Sequence, residues 1–245
     1  MGATIPGVKD AEDQLAKLVE VALRRHAMIS EGDRILVAVS GGKDSTSLAY
    51  DLAKKRRWWP EHYELHAIHI ATDFCSCCKK SALFDLLASW DIPSVSIDVP
   101  VIARLKAGHS MNCYWCSTQR RTELIQYAMA EGFNKIALGH HLDDIVETLM
   151  MNMLYKGQIS GMLPNLRYKK YPVSIIRPLA LCEERQVIAF ADEKGFRSAA
   201  CTCPYGRESK RREVRARIAQ LTGGSSQLKR NLFDSMSNVN DEYLP

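Results

Sequence analysis

The run Ser40-Gly41-Gly42-Lys43-Asp44-Ser45 follows an apolar stretch, Ile35-Leu36-Val37-Ala38-Val39, and leads into a helix-forming segment. Residues of these types at this spacing are suited to holding a chain of phosphates. Adjacent glycines let the backbone turn tightly and bring N–H groups up to anionic oxygens, while the following helix points the positive end of its dipole at the same place. Lys43 adds a mobile positive charge, Asp44 a carboxylate, and Ser40 and Ser45 hydroxyl donors. The run is not a Walker A loop, because Val37 stands where that pattern needs its first glycine. Further on, Gly139-His140-His141-Leu142-Asp143-Asp144 sets two adjacent carboxylates at the start of a helical pattern. Either aspartate could cap that helix, but beside a polyphosphate the pair suits Mg²⁺, which takes a carboxylate or two plus phosphate oxygens. A third constellation is Cys113-Tyr114-Trp115-Cys116, placed just before a helix expected to begin near Thr118, with Arg120 and Arg121 one turn on. Such a pair serves zinc sites, redox couples and iron–sulfur centres alike. Further ligands would have to come from elsewhere, and Cys201 with Cys203, or Cys77 with Cys78, could supply them.

The elements that must position these groups alternate in type. Strands are expected at residues 35–39, 66–70, 94–99, 135–138 and 173–176. Helical patterns cover residues 10–28, 47–55, 79–90, 118–131 and 185–194. Strands separated by helices imply crossovers, hence an α/β fold with a doubly wound parallel sheet. Ligands in such sheets sit beyond the carboxyl ends of the strands, where both the Ser40–Ser45 loop and the Gly139–Asp144 run fall. Residues near Ile68 to Ile70 would then meet a purine base through their main chain. The stretch 156–171 is rich in Gly, Pro and Lys and reads as a loop over the site. Three regions result: a helical segment over 1–30, a nucleotide-binding α/β domain over 31–200, and a basic helical extension over 201–245, in which Gly223-Gly224 separates two helices.

Composition bounds the rest. The chain has 245 residues, a quarter of them charged, and a net charge of +5. It is long enough for one large domain, and it contains no run of roughly 18 apolar residues of the kind a membrane span requires. A cytoplasmic protein without a membrane partner is expected, so its eight cysteines point to metal or sulfur chemistry rather than disulfides. Basic residues gather at Lys54–Arg57, Arg120–Arg121, Lys169–Lys170 and most densely over Arg207–Arg217, which suits a polyanionic partner if the fold brings several of them together.

The loop resembles the PP-loop, SGGxDS, of enzymes that split ATP between its α and β phosphates. Taken with Cys113-x-x-Cys116, Arg120-Arg121, Ile136 to Asp144, Asn152-Met153, the Gly157–Pro164 loop, Arg177-Pro178-Leu179 and a cysteine after Phe196, the chain is similar over roughly residues 15 to 220 to the TtcA family of tRNA-cytidine 2-sulfurtransferases. The resemblance implies ATP bound by Ala38, Ser40, Gly41, Gly42, Lys43, Asp44, Ser45, Ile68, Gly139 and His140, with Lys43, Asp44, Asp143 and Asp144 serving catalysis together with Mg²⁺. It implies adenylation of a base oxygen with release of pyrophosphate, then sulfur delivery from a [4Fe-4S]-bound sulfide with release of AMP. Cys113, Cys116 and either Cys201 or Cys203 would hold that cluster, and Cys182 would be a core residue. The implied partners are a tRNA anticodon loop, a sulfur donor such as a cysteine desulfurase, and a second copy in a homodimer. Base stacking would fall to Tyr114, Trp115 or Tyr168. Cys75, Cys77 and Cys78 depart from the family pattern. A thiouridine synthetase acting on another tRNA position is the nearest alternative, although the first 70 residues and the last 40 lack the cysteine pairs it would add. A lysidine synthetase leaves the cysteines unexplained, and a zinc-stabilised RNA-binding protein leaves the intact loop and aspartates unexplained.

Overall fold

A computed structural model describes residues 10–74, 80–196 and 210–243. Six strands form one sheet: β1 (Asp33–Ala38), β2 (Tyr63–Thr72), β3 (Ser94–Val99), β4 (Lys135–Ala137), β5 (Asn165–Arg167) and β6 (Ser174–Ile176). Their order is β3-β2-β1-β4-β6-β5, and every neighbouring pair is parallel except β5 with β6. Among the described residues eight α-helices accompany them: α1 (Ala11–Arg25), α2 (Lys43–Lys55), α3 (Lys80–Ala88), α4 (Cys113–Ala130), α5 (Leu142–Lys156), α6 (Glu184–Glu193), α7 (Lys210–Thr222) and α8 (Ser226–Asp234).

β1 is central and buried on both faces, which is why it reads as a continuous apolar run. Its side chains alternate between two cores. Ile35 and Val37 pack with Leu15, Leu48, Leu52 and Phe190 of α1, α2 and α6 on one face, and Leu36 packs with Ile68, Leu124, Ile136 and Ile175 on the other, where α4 lies. A third cluster, with Ile145, Val146, Val214, Ile218 and Phe233, seats α7 and α8 on α5. The strand order reverses between β1 and β4, so the crevice at their carboxyl ends is the switch point of the sheet.

Two expectations need correction. Residues 165–167, read as loop, form the antiparallel edge strand β5, whose Asn165 Nδ2 donates to the carbonyls of His26 (3.0 Å) and Ala27 (2.9 Å). Three residues are too few to show alternation, and this tertiary anchor carries no sequence period. The helix expected from Thr118 begins at Cys113, because the Asn112 side chain accepts from Trp115 N at 2.9 Å and caps it.

Glu12 ties α1 to its neighbours. Its carboxylate accepts from Tyr50 Oη at 3.1 Å, from Lys54 Nζ at 2.5 Å and from Lys194 Nζ. Burial alone would raise this carboxyl, but the three hydrogen bonds outweigh it and hold the pKa at about 2, below an ordinary value of 4.5. A depressed carboxyl contributes stability above its unfolded pKa and loses it as pH falls through the folded one. Glu12→Gln is therefore expected to destabilise the protein at pH 7 but to converge on the parent as pH falls from 4.5 towards about 2 in chemical-denaturation curves. A mutant offset that stayed constant down to the lower pH would show that the ion pairs contribute nothing.

Candidate active site

Gly41 turns the phosphate loop with φ +82°, a conformation that favours glycine, and Gly42 precedes α2 with no side-chain cap on the first turn. The amides that open α2 are thus left to a ligand. The loop is braced by its serines: Ser40 N donates to Ser45 Oγ at 3.1 Å, Ser45 Oγ to Gly42 O at 3.1 Å, and Gly42 N to Ser40 Oγ at 3.3 Å. Gly139, at the end of β4, lies so close to this loop that a Cβ would sit 3.0 Å from Ser45 N and 3.1 Å from Asp44 C.

A cavity of about 310 Å³ opens here at the switch point. Ala38, Ile68, Ile70, Ile136, Leu138 and Ile175 give it an apolar floor, while Ser40, Asp44, Ser45, Gly139, His140 and Asp144 give it a polar end. Ser117, Arg120, Arg121 and Leu124 reach it from α4, four positions that share one helical face. Sequence reasoning noted the two arginines but did not place them in the site. Their spacing from Cys116, within the helix that the cysteines open, was the signal available. Arg120 Nε is buried with no hydrogen-bond partner.

The remaining expected residues divide. Lys43 does not line the cavity; its Nζ lies 3.0 Å from Asp44 and 3.2 Å from Glu184. Burial would lower its pKa, but these carboxylates raise it, so it is firmly protonated. Asp144 faces the cavity, and Asp143 faces a smaller recess under α7 and α8. Asp143 accepts from Lys229 Nζ at 2.8 Å and from Glu184 N at 2.7 Å, which hold its carboxyl below the usual range against the opposing effect of burial. Asp144 also completes a capping box: its Oδ2 accepts from His141 N at 3.2 Å, its own N–H donates to His141 Nδ1 at 3.4 Å, and Arg211 donates to Oδ1 at 3.0 Å. Capping and cavity lining are thus served by one side chain.

Asp44 Oδ1 is buried without a hydrogen bond, although Lys43 Nζ is 3.0 Å away. With Asp144 it brings carboxylate oxygens from two elements to one phosphate cavity, a hard donor set that fits Mg²⁺. Cys113 and Cys116 stand one turn apart at the start of α4, the first exposed and the second half-buried, and such paired thiolates are the soft donors that iron–sulfur clusters take. Cys201, Cys203, Cys75, Cys77 and Cys78 lie outside the described residues. Cys182 is fully buried in the core beneath α1 and α6, where burial pushes its thiol pKa up.

A crevice at the switch point, a glycine loop without the Walker pattern and acids beyond the carboxyl end of the neighbouring strand define a PP-loop nucleotide fold. A PP-loop domain model matches residues 9–222. The solved structure of the U34-tRNA thiolase NcsA from Methanococcus maripaludis, with its [4Fe-4S] cluster, superposes with a TM-score of 0.77 at 22% identity, over 96% of this chain and 81% of that one. The tRNA-cytidine(32) 2-sulfurtransferase of Syntrophotalea carbinolica is 34% identical over 94% of this chain and 91% of its own length. Those of Geobacter sulfurreducens (34%, covering 91% and 88%) and Coxiella burnetii (33%, covering 96% and 93%) are similar to the same extent. The chain belongs to the tRNA-cytidine 2-sulfurtransferase family of PP-loop proteins.

Proposed function

We propose that this chain is an ATP-dependent tRNA sulfurtransferase that replaces the C2 oxygen of a tRNA cytidine with sulfur. The single observation that carries the reading is the cavity in which the phosphate loop, Asp44, Asp144 and the arginines of the CxxC helix face one space. Adenine fits the apolar floor. The β1–β2 ladder ends at Ala38–Ile68, with Val39 N donating to Ile68 O at 2.8 Å, and main-chain groups of Ile70, past the end of that ladder, would read the base. The phosphates would then reach the α2 amides, Arg120 and Arg121, with Asp44 and Asp144 holding Mg²⁺. Lys43 joins them by leaving Glu184.

An oxygen bonded to a pyrimidine carbon is a poor leaving group until it carries AMP. Attack of that oxygen on the α phosphate releases pyrophosphate; a hydrosulfide then attacks C2, and the C2–O bond breaks with AMP as the leaving group. Cys113 and Cys116, with Cys201 or Cys203, would hold a [4Fe-4S] cluster, which would supply the sulfide for the second step. The sulfur would come from a donor such as a cysteine desulfurase, and the enzyme would work as a homodimer in the cytoplasm. Exposed Lys169, Lys170, Arg212 and Arg217 suit the RNA backbone.

Purified protein given ATP, unmodified tRNA and sulfide under anaerobic conditions should release pyrophosphate and yield a thiolated cytidine in nuclease digests. A thiolated uridine would favour the thiouridine alternative, and RNA binding without pyrophosphate would favour a non-catalytic module. Of the three aromatic residues considered for stacking, Trp115 donates to Val101 O at 3.0 Å and Tyr168 packs edge-on against Tyr171, whereas Tyr114 is 81% exposed. Base stacking on an aromatic is worth about 1–3 kcal/mol, so Tyr114→Ala should raise the KM for tRNA about tenfold and leave the KM for ATP unchanged. Equal changes in both would remove Tyr114 from the RNA site.

A further inference from the structure

His140 lines the nucleotide cavity directly after Gly139, and hence beside the phosphate loop. Arg177 Nε donates to its Nδ1 at 3.4 Å. A guanidinium has only donors and keeps its proton in proteins, so Nδ1 is the acceptor and the hydrogen of the neutral imidazole sits on Nε2. Arg177 is itself fixed in place. It is 3% exposed, its Nη1 donates to Leu163 O at 2.5 Å, its main-chain N–H donates to Pro164 O at 2.8 Å, and Pro178 follows it at the start of a 3₁₀ turn. Among the described residues it forms no ion pair. A buried guanidinium that spends its hydrogen bonds on a carbonyl and an imidazole, rather than on a carboxylate, is costly unless it serves the group it orients.

We propose that Arg177 is a positioning residue that locks His140 as the Nε2–H tautomer, and that this uncharged N–H donates to an oxygen of the ATP phosphate chain. The second half rests on the nucleotide reading above; the first does not. The groups that face the ring agree. Arg177 follows β6, Arg121 stands on α4 and Arg211 on α7, and Asp144 on α5 is the acid among them. Burial first, then the charge of Arg177, bring the His140 pKa down to about 4. The ring therefore remains a neutral donor where an ordinary histidine would be switching its charge. The arginines supply the positive charge, and His140 supplies direction.

The test is a long-range proton–nitrogen spectrum of the whole protein labelled in its seven histidines, with His140 assigned by loss of its signals in His140→Asn. The expected wild-type pattern is an unprotonated Nδ1 and a protonated Nε2, unchanged between pH 7 and pH 5.5. A hydrogen on Nδ1, or on both nitrogens at pH 7, overturns the tautomer. A non-hydrolysable ATP analogue should shift the Nε2–H signal. If calorimetry shows the analogue bound while that signal stays still, the phosphate contact is wrong. If the analogue does not bind at all, the nucleotide reading fails and takes the phosphate contact with it, while the tautomer result stands. Arg177→Gln should give a mixture of tautomers and weaken analogue binding about tenfold. A pure Nε2–H form in that variant would overturn the role of Arg177. Should the variant not fold, the wild-type spectrum still decides the tautomer.

Discussion

Replacing Gly139 with alanine is expected to reduce ATP-dependent pyrophosphate release roughly a hundredfold in a protein that still folds. The added Cβ would stand 3.0 Å from Ser45 N and 3.1 Å from both Asp44 C and Ser45 Cα. All three are backbone atoms at the start of α2, so no side chain can swing away to make room. Either β4 or the phosphate loop must move by several tenths of an ångström. Overpacking of this kind costs about 1–3 kcal/mol, which a domain of this size tolerates, whereas misplaced amides at a phosphate site do not hold a transition state. Denaturant curves and pyrophosphate assays on the same preparation check this. Full activity in the alanine variant would show that the loop shifts freely and that its resting geometry does not set catalysis.

The second large effect is a separation of functions. Lys43→Ala should lower pyrophosphate release by about 10²–10³-fold, as loss of one oxyanion-stabilising group does elsewhere, and leave iron content after anaerobic purification unchanged. Cys113→Ala should lose the iron and the thiolated cytidine yet keep ATP binding and pyrophosphate release. The structure motivates the division: Lys43 lies on α2 against Glu184, and Cys113 is the exposed first residue of α4. If both variants lost iron and ATP chemistry together, the two halves of the site would be one unit. Stoichiometric zinc without sulfide in the wild type would replace the cluster by a structural metal.

Much of this was legible beforehand, for identifiable reasons. β1 and the phosphate loop are local: an apolar run, two glycines and a helix start lie within a few residues of one another, so the chain order is also the spatial order. The parallel sheet could be read from the alternation of strand and helix. What could not be read depends on distant partners. Nothing in Asp143-Asp144 says that the first turns to Lys229 and the second to the cavity, because helix geometry sends adjacent residues about 100° apart and only the docking of α8 decides which faces what. Arg177 appeared only as part of a motif; its importance comes from the β6 end lying beside the β4 end. The first residues of the CxxC helix are hard to read as helix because Tyr, Trp, Ser and Thr blur its apolar period, while the cap at Asn112 is a single residue.

The packing of the C-terminal helices on α5 has a consequence for how such a sequence can drift. Asp143, Asp144 and Glu147 on α5 are matched by Lys229, Arg211 and Arg215, and Glu147 is 1% exposed. A cation lost from α7 or α8 strands an acid that water cannot readily reach, and a lost acid does the same to its partner. Substitutions at Asp143–Lys229 and Glu147–Arg215, the two pairs that line the recess away from the nucleotide cavity, should therefore be inherited jointly, and across related chains their two sides should change sign, or become neutral, in step.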